Sequence, residues 1–203
     1  MRLRRLVLAA VSAGCFFAAV APAFSASASE GSGEYRIGDR LPQAAKDGAQ
    51  SVYTETAWDA LLPPGWDPMR VLKGLKLDDL NDADPRAMEA LDKLRQEWNN
   101  APANPAMNGA RIRIAGFVVP LENQRNQITE FLLVPYFGAC IHVPPPPANQ
   151  LIHVFPAKPL KDVQTMQAVW VSGTMETIAS DTSMGRSGYR MKAELVAPYK
   201  KPR

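Results

Sequence analysis

Residues 144–147 are four consecutive prolines, and they limit what the surrounding chain can fold into more than any other feature of the sequence. Each proline fixes its own φ angle and lacks a backbone donor, so the block adopts an extended polyproline geometry. It can be neither a helix nor a central strand of a sheet. We therefore predict a stiff loop that holds the segments on its two sides at a fixed separation.

The residues with the most distinctive chemistry flank this loop. His142 and His153, the only two histidines of the chain, lie on either side of the prolines, and Cys140 lies two residues before His142. The apolar run 131–134 ahead of them is typical of a strand, and Gly138 permits a turn. We expect any functional site to lie between residues 128 and 155.

Two runs in this part of the chain carry a family resemblance. They are V-P-Y-F-G-A-C-I-H-V-P-P-P-P-A-N-Q, at 134–150, and R-I-R-I-A-G-F-V-V-P-L-E, at 111–122. Together they resemble the exported bacterial family known as domain of unknown function 3299, over most of the chain after residue 50. The resemblance implies a small OB-like β-barrel in the cell envelope and supplies no activity. It also implies gene neighbourhoods for periplasmic transport and metal handling.

The first 28 residues have the pattern of a secretory signal peptide. Three arginines precede an apolar run at 6–21, and Ala-Ser-Ala at 26–28 forms a small-residue cleavage site. We predict cleavage after Ala28 and release of a mature chain without a transmembrane span into the periplasm. Lipid attachment at Cys15 is the alternative, but the apolar run continues beyond Cys15, where a lipoprotein would begin a polar tether.

Cleavage at Ala28 would change the charge and the cysteine content. It would remove three of the 23 Lys and Arg and none of the 20 Asp and Glu, leaving 20 of each. A near-neutral mature chain gives no electrostatic reason to expect a nucleic-acid partner. Cys140 would be the only cysteine left, so no intrachain disulfide is expected.

Beyond the signal peptide we predict three further segments. Gly, Ser, Ala and charged residues at 29–50 indicate a flexible leader. Residues 51–108 are predicted to form a helical extension that packs on the following domain. In the extension, Asp84 as cap and Pro85 at the first position predict a helix start. The apolar stripe predicted to pack consists of Met88, Leu91, Leu94 and Trp98.

Residues 109–198 have the pattern of a mainly β domain. Gly116 lies where a strongly bent strand needs a glycine, and 156–166 leaves room for a short helix. Five short strands with glycine-marked bends predict a small OB-like five-stranded barrel. The predicted strands are 111–121, 128–134, 151–155, 168–173 and 189–197.

Cys140, His142 and His153 form the candidate metal site. Thiolate sulfur and neutral imidazole nitrogen bind zinc and copper, and zinc is the better match to this ligand set. On an extended backbone Cys140 and His142 project to the same face, whereas His153 joins them only in one pairing register. We predict a three-residue zinc site with an open fourth position, suited to binding or transferring the metal.

Three other interpretations use the same residues. A blue-copper site would need an axial methionine, yet the order of cysteine and histidines is not the usual one. A nucleophilic Cys140 would need a base and an orienting group, for which Glu130 and Asn149 are nearest. A buried, structural Cys140 beside a rigid docking loop needs no chemistry at all.

The best single prediction is an exported accessory protein that binds or handles zinc beside the tetraproline loop. The alternative is a non-catalytic protein-interaction module of an envelope transport complex, with a structural cysteine. The partner expected in either case is an envelope transport or metal-carrier protein. A phosphate loop, a dinucleotide fingerprint and a serine elbow are absent from the sequence, which favours a non-enzyme.

Overall fold

The structure is a computed structural model that describes residues 35–42, 52–70, 73, 84–124 and 127–200. The predicted signal peptide at 1–28, including Cys15, lies outside the described residues. The described part is mainly β, with eight strands and one α-helix. In chain order they are β1 Thr54–Glu55, α1 Pro85–Asn99, β2 Arg111–Gln124, β3 Gln127–Val134, β4 Ile152–Pro156, β5 Ala168–Glu176, β6 Ser180–Thr182, β7 Gly185–Ser187 and β8 Tyr189–Pro198.

Five of these strands close into a barrel. The order is β2, β3, β4, β8, β5 and back to β2. Strands β4 and β8 are parallel, and the other four pairs are antiparallel. The five strands correspond to the five predicted from the sequence, so the prediction of a small five-stranded OB-like barrel is confirmed.

Alternation along the strands separates an interior from an outer face. On β4, Ile152 and Val154 join the core inside the barrel, whereas His153 between them faces outward. A second apolar cluster covers part of the outer face, and its strand residues include Phe117, Leu132 and Val134. Leu41, Ala139 and Tyr199 also belong to this cluster, and Cys140 packs against it.

The segment before the barrel is tied to it by specific contacts. Strand β1 pairs in parallel with β2, and the Trp58 indole Nε1 donates to the Ala115 carbonyl at 2.7 Å. The buried Tyr189 hydroxyl donates to the Leu61 carbonyl at 2.5 Å and accepts from the Asn104 amide. The extension therefore supplies hydrogen-bond partners for buried groups of the barrel strands.

Helix α1 begins as predicted, but its packing face differs. Asp84 caps the helix by accepting from the Arg86 amide at 2.9 Å. Ala90 and Leu94 are buried, whereas Met88 is 60% and Leu91 50% exposed. The prediction that Met88 and Leu91 belong to the packed stripe is wrong, because the helix touches the domain along a narrower line than its apolar residues span.

Gly116 is required for a reason other than the one predicted. It is not among the glycines with a positive φ. A Cβ there would lie 2.8 Å from both the Leu133 Cγ and the Val134 carbonyl oxygen. The constraint is therefore close contact with β3.

Three features of the described chain were not predicted. Residues 35–42, part of the expected leader, pack on the barrel, with Leu41 buried and Arg40 bridged to Tyr136. The hairpin β6–β7 lies between β5 and β8. The connection at 156–166, where there was room for a short helix, contains none.

Candidate binding site at the tetraproline loop

The loop that joins β3 to β4 is fastened at both ends. At its start, the Phe137 amide donates to the Asp39 carbonyl and the Phe137 carbonyl accepts from the Gly38 amide, both at 2.9 Å. At its end, the Ala148 carbonyl accepts from the Gly188 amide at 2.6 Å. Both attachments are backbone bonds, so they depend little on side-chain motion.

The prolines themselves are irregular and extended, and the prediction of a loop there is confirmed. Pro144 and Pro145 are exposed, whereas Pro146 is buried. A Cβ at Gly185 on β7 would lie 3.1 Å from the Pro145 Cβ, so the block rests against the β6–β7 hairpin. One side of the loop is thus supported and the other faces solvent.

Cys140 lies in a tight turn. Its φ of 64° is left-handed, which is uncommon for a residue with a side chain. The side chain is half-buried against the second cluster, and burial raises the pKa of the thiol to about 11. Burial therefore favours the thiol over the thiolate, which is the form that acts as a nucleophile.

The turn also changes the directions in which the Cys140 and His142 side chains project. We expected an extended backbone that projects both side chains to one face. That expectation is wrong, because the Gly138 carbonyl draws the next residues into a turn. The His142 side chain is exposed on this turn.

His153 lies in a different setting, on the outer face of β4. Its ring Nε2 is 2.9 Å from the Glu130 carboxylate, to which it donates. The other ring nitrogen, Nδ1, is then an acceptor, and it is buried without a hydrogen-bond partner. Burial lowers the pKa of His153 more than the neighbouring carboxylate raises it.

Arg190 lies beside His153 on the same outer face, and the sequence analysis did not identify it. It is the register partner of His153 on β8, and its guanidinium lies over the Phe155 ring at 5.3 Å. The parallel pairing of β4 with β8 brings the two residues together. Such a pairing joins segments far apart in sequence, so no local signal could have found it.

Within the described ranges, no group of three or more His, Cys, Asp and Glu side chains is placed to hold a metal ion. The structure therefore does not assemble Cys140, His142 and His153 into such a group. Glu130, considered earlier as the orienting partner of a catalytic pair, does bond to His153. The zinc assignment stays a prediction.

Exposed apolar residues lie on the loop and on the segment at 35–42, which contacts the start of the loop. Ile37 is 58% and Ile141 39% exposed. Ile37 lies beside Gly138, where an added Cβ would be 3.3 Å from its Cγ atoms, and Gly38 donates to the Phe137 carbonyl at 2.9 Å. We call this surface the loop patch; its members are Ile37, Ile141, Pro144 and Pro145.

Comparison with known proteins identifies a family whose function is unknown. The family model described as "Protein of unknown function (DUF3299)" matches residues 58–198. A crystal structure of a DUF3299 family protein from Pseudomonas aeruginosa PAO1, at 2.45 Å resolution, is similar with 34% identity and a TM-score of 0.58. The match covers 75% of this chain and 100% of that one. No curated protein matches the chain.

The family match spans the barrel and most of the extension, including the loop patch residues Ile141, Pro144 and Pro145. The solved relative is similar in both sequence and fold. In the described part of the chain, no helix is both long and apolar enough to cross a membrane. The chain belongs to the DUF3299 family of proteins of unknown function.

Proposed function

We propose that this chain is an exported, non-catalytic protein-interaction module that docks an envelope partner through the loop patch. The observation that carries the proposal is a loop held by backbone bonds at both ends that exposes Ile141, Pro144 and Pro145, with the exposed Ile37 beside Gly138 at the start of the loop. Exposed apolar patches on soluble proteins commonly mark interaction sites. A loop that is already ordered loses little further entropy on binding.

The chemistry of Cys140 supports a binding role over a catalytic one. The thiol packs against the second cluster, and its pKa of about 11 disfavours the thiolate. Cys140 then acts as a small apolar residue that supports the turn below Ile141.

The partner we propose is a transport or metal-carrier protein of the envelope. The signal-peptide pattern at 1–28 supports export to the periplasm. The family resemblance supports the class of partner. The contact itself would be apolar, since the exposed members of the loop patch carry no charge.

A co-purification experiment tests this proposal. The tagged chain is recovered from the envelope after chemical crosslinking, as wild type, as Ile37→Ser/Ile141→Ser and as Met88→Ser/Leu91→Ser. The control pair changes two apolar residues on α1 that are at least as exposed as the pair in the loop patch. We expect wild type to recover a partner in stoichiometric amount. The loop-patch variant should recover about tenfold less of that partner, and the control variant should recover as much as wild type. Equal recovery in all three would contradict the proposal.

Zinc binding at Cys140, His142 and His153 is the second candidate. The observation in its favour is the buried, unpartnered Nδ1 of His153, which is the deprotonated nitrogen that a metal needs. Binding would require the turn with Cys140 and His142 to move toward His153. Metal analysis of the purified chain tests it, with Cys140→Ser and His142→Ala each expected to lower the zinc content. A metal-free wild type that gains no zinc on titration would rule it out.

A further inference from the structure

Among the described residues, no strand pairs with one edge of β8 over its last residues. β4 pairs with β8 from Ile152 opposite Tyr189 to Pro156 opposite Ala193. β8 then continues to Pro198, and in the described chain residues 195–198 pair with β5 alone. Five residues of β8, 194–198, therefore extend about 16 Å beyond the last pair with β4.

The chain that follows β4 does not fill this edge. The Ala157 amide donates to the Ala193 carbonyl at 2.8 Å, which extends the β4–β8 contact by one bond. The connection then turns to β3, where Leu160 and Ile128 exchange both backbone bonds at 2.9 and 3.0 Å. A cavity of about 670 Å³ lies between the connection and β8, lined by residues 156–163, 167, 169 and 193–198.

Backbone direction along β8 leaves polar groups facing this cavity. The Tyr199 amide donates to the Ala168 carbonyl at the start of β5, at 3.0 Å. Because backbone groups alternate in direction along a strand, the N–H and C=O of Val196 point away from β5. Val196 is half-buried, and Glu194, Leu195 and Pro198 are exposed, so the edge is accessible.

The side chains around the cavity have an apolar floor and a basic rim. Val169 on the floor belongs to the barrel core, and Leu160, Val163 and Val196 pack against that core. Lys158 and Lys161 on the rim are exposed and form no ion pair within the part of the chain that the structure describes.

The rim also carries two acidic residues, Glu194 and Asp162. The Glu194 carboxylate is held by the Arg111 guanidinium at 3.2 Å and the Tyr53 hydroxyl at 2.7 Å. Asp162 is then the acidic group that remains against two lysines. The rim therefore favours an anionic occupant.

We infer that this cavity binds an extended, acidic peptide segment of a partner protein, which adds as a strand to the free edge of β8. Strand addition uses an open row of backbone groups for affinity and pockets for alternate side chains for specificity. The N–H and C=O of Val196 and the C=O of Pro198 supply the first, the apolar floor supplies the second, and the lysines select for acidic residues between the apolar ones. This surface is separate from the loop patch, and the inference does not depend on it.

Peptide binding to the purified chain tests the inference. The probe is a fluorescein-labelled heptapeptide of alternating glutamate and valine, measured by anisotropy at low ionic strength. Two further probes carry methyl groups on backbone nitrogens. One is methylated at the odd-numbered residues of the peptide and the other at the even-numbered residues. Only one edge of an added strand meets β8, so one methylated probe should lose binding and the other should keep it.

Two protein variants test the rim. Lys158→Glu/Lys161→Glu should weaken binding of the unmodified probe by about tenfold, whereas Lys93→Glu/Arg95→Glu on α1, with the same change in net charge, should not. A chain that binds no probe, equal loss in both double variants, or equal binding of both methylated probes would overturn the inference. The last result would mean that the peptide binds through its side chains without adding as a strand. Dimerisation of the chain that excludes the probe would assign the edge to a second copy and would also overturn it.

Discussion

Cys140 and His153 lie on the two sides of the tetraproline loop, and burial favours the neutral form of each side chain. Burial raises the pKa of the thiol and lowers that of the imidazole. The residue types at these positions were evident from the sequence, and they suggested a shared metal site. Their protonation states depend on burial and partners, which the residue types alone do not reveal.

The first prediction concerns the thiol. With a pKa of about 11 in place of 9.0, Cys140 has about a hundredfold less thiolate at pH 8 than an unperturbed cysteine. Alkylation by iodoacetamide should therefore be slow in the folded chain and should accelerate as the pH rises toward 11. Mass spectrometry of the Cys140 peptide measures the rate, and the chain in guanidinium provides the unperturbed reference. Equal rates in the two states at pH 8 would show that the thiol is not protected.

The second prediction concerns His153. Because burial lowers its pKa in the folded chain, the unfolded chain binds a proton more readily below the ordinary value of 6.5. This contribution to the free energy of unfolding should be fully present above pH 6.5 and should be lost progressively as the pH falls below it. Urea unfolding from about pH 5 to 7.5 measures the effect.

The matched comparison uses the two histidines of the chain. His153→Gln should flatten the pH dependence and retain a donor for Glu130, whereas His142→Gln, on the exposed turn, should keep the wild-type profile. A wild-type profile in His153→Gln would mean that another group causes the acid sensitivity.

At the scale of elements, the local sequence pattern was sufficient to predict where the strands lie. It was insufficient to predict which strands pair with each other. The predicted strand 168–173 is part of β5, which ends at Glu176, and the other four also overlap observed strands. Period-two alternation is a property of each segment alone, which is why it succeeds. The parallel pairing of β4 with β8, the addition of β1 and the packing of 35–42 are contacts between distant segments. For this reason Arg190 and Ile37 were missed as members of surface groups.

The third prediction concerns the contact between β2 and β3. A Cβ at Gly116 would meet the Val134 carbonyl at 2.8 Å, and a backbone atom cannot turn aside as a side chain can. Gly116→Val should lower the free energy of unfolding by roughly 1–3 kcal/mol, the usual range for overpacked cores. Thermal unfolding measures it, with Gly31→Val, outside the predicted barrel, as the control. A melting temperature equal to that of the control would contradict the close contact.

At the scale of the whole molecule, the described residues form a small barrel with an ordered loop and two distinct surfaces. The loop patch lies on the loop between β3 and β4, together with Ile37. The free edge of β8 lies beside the β4–β5 connection. Neither surface requires a cofactor. Both fit a protein that acts by holding partners, which is the role we propose for this chain.

The fourth prediction is the processing of the chain. If 1–28 is a signal peptide, the protein recovered from the periplasm should begin at Ser29. Intact-mass measurement of the recovered protein gives the start directly. A lipid-modified N-terminus at Cys15 would instead mean that the chain is anchored.

Site-specific photocrosslinking tests docking through the loop patch most directly. A photoreactive amino acid replaces Ile141 in one strain and Leu91 in another, both exposed apolar positions, and the crosslinked envelope proteins are identified by mass spectrometry. We expect one discrete protein partner to be crosslinked at position 141 and to be absent at position 91. No protein crosslink at 141, or the same set of crosslinks at both positions, would contradict the claim that the loop patch is the docking surface.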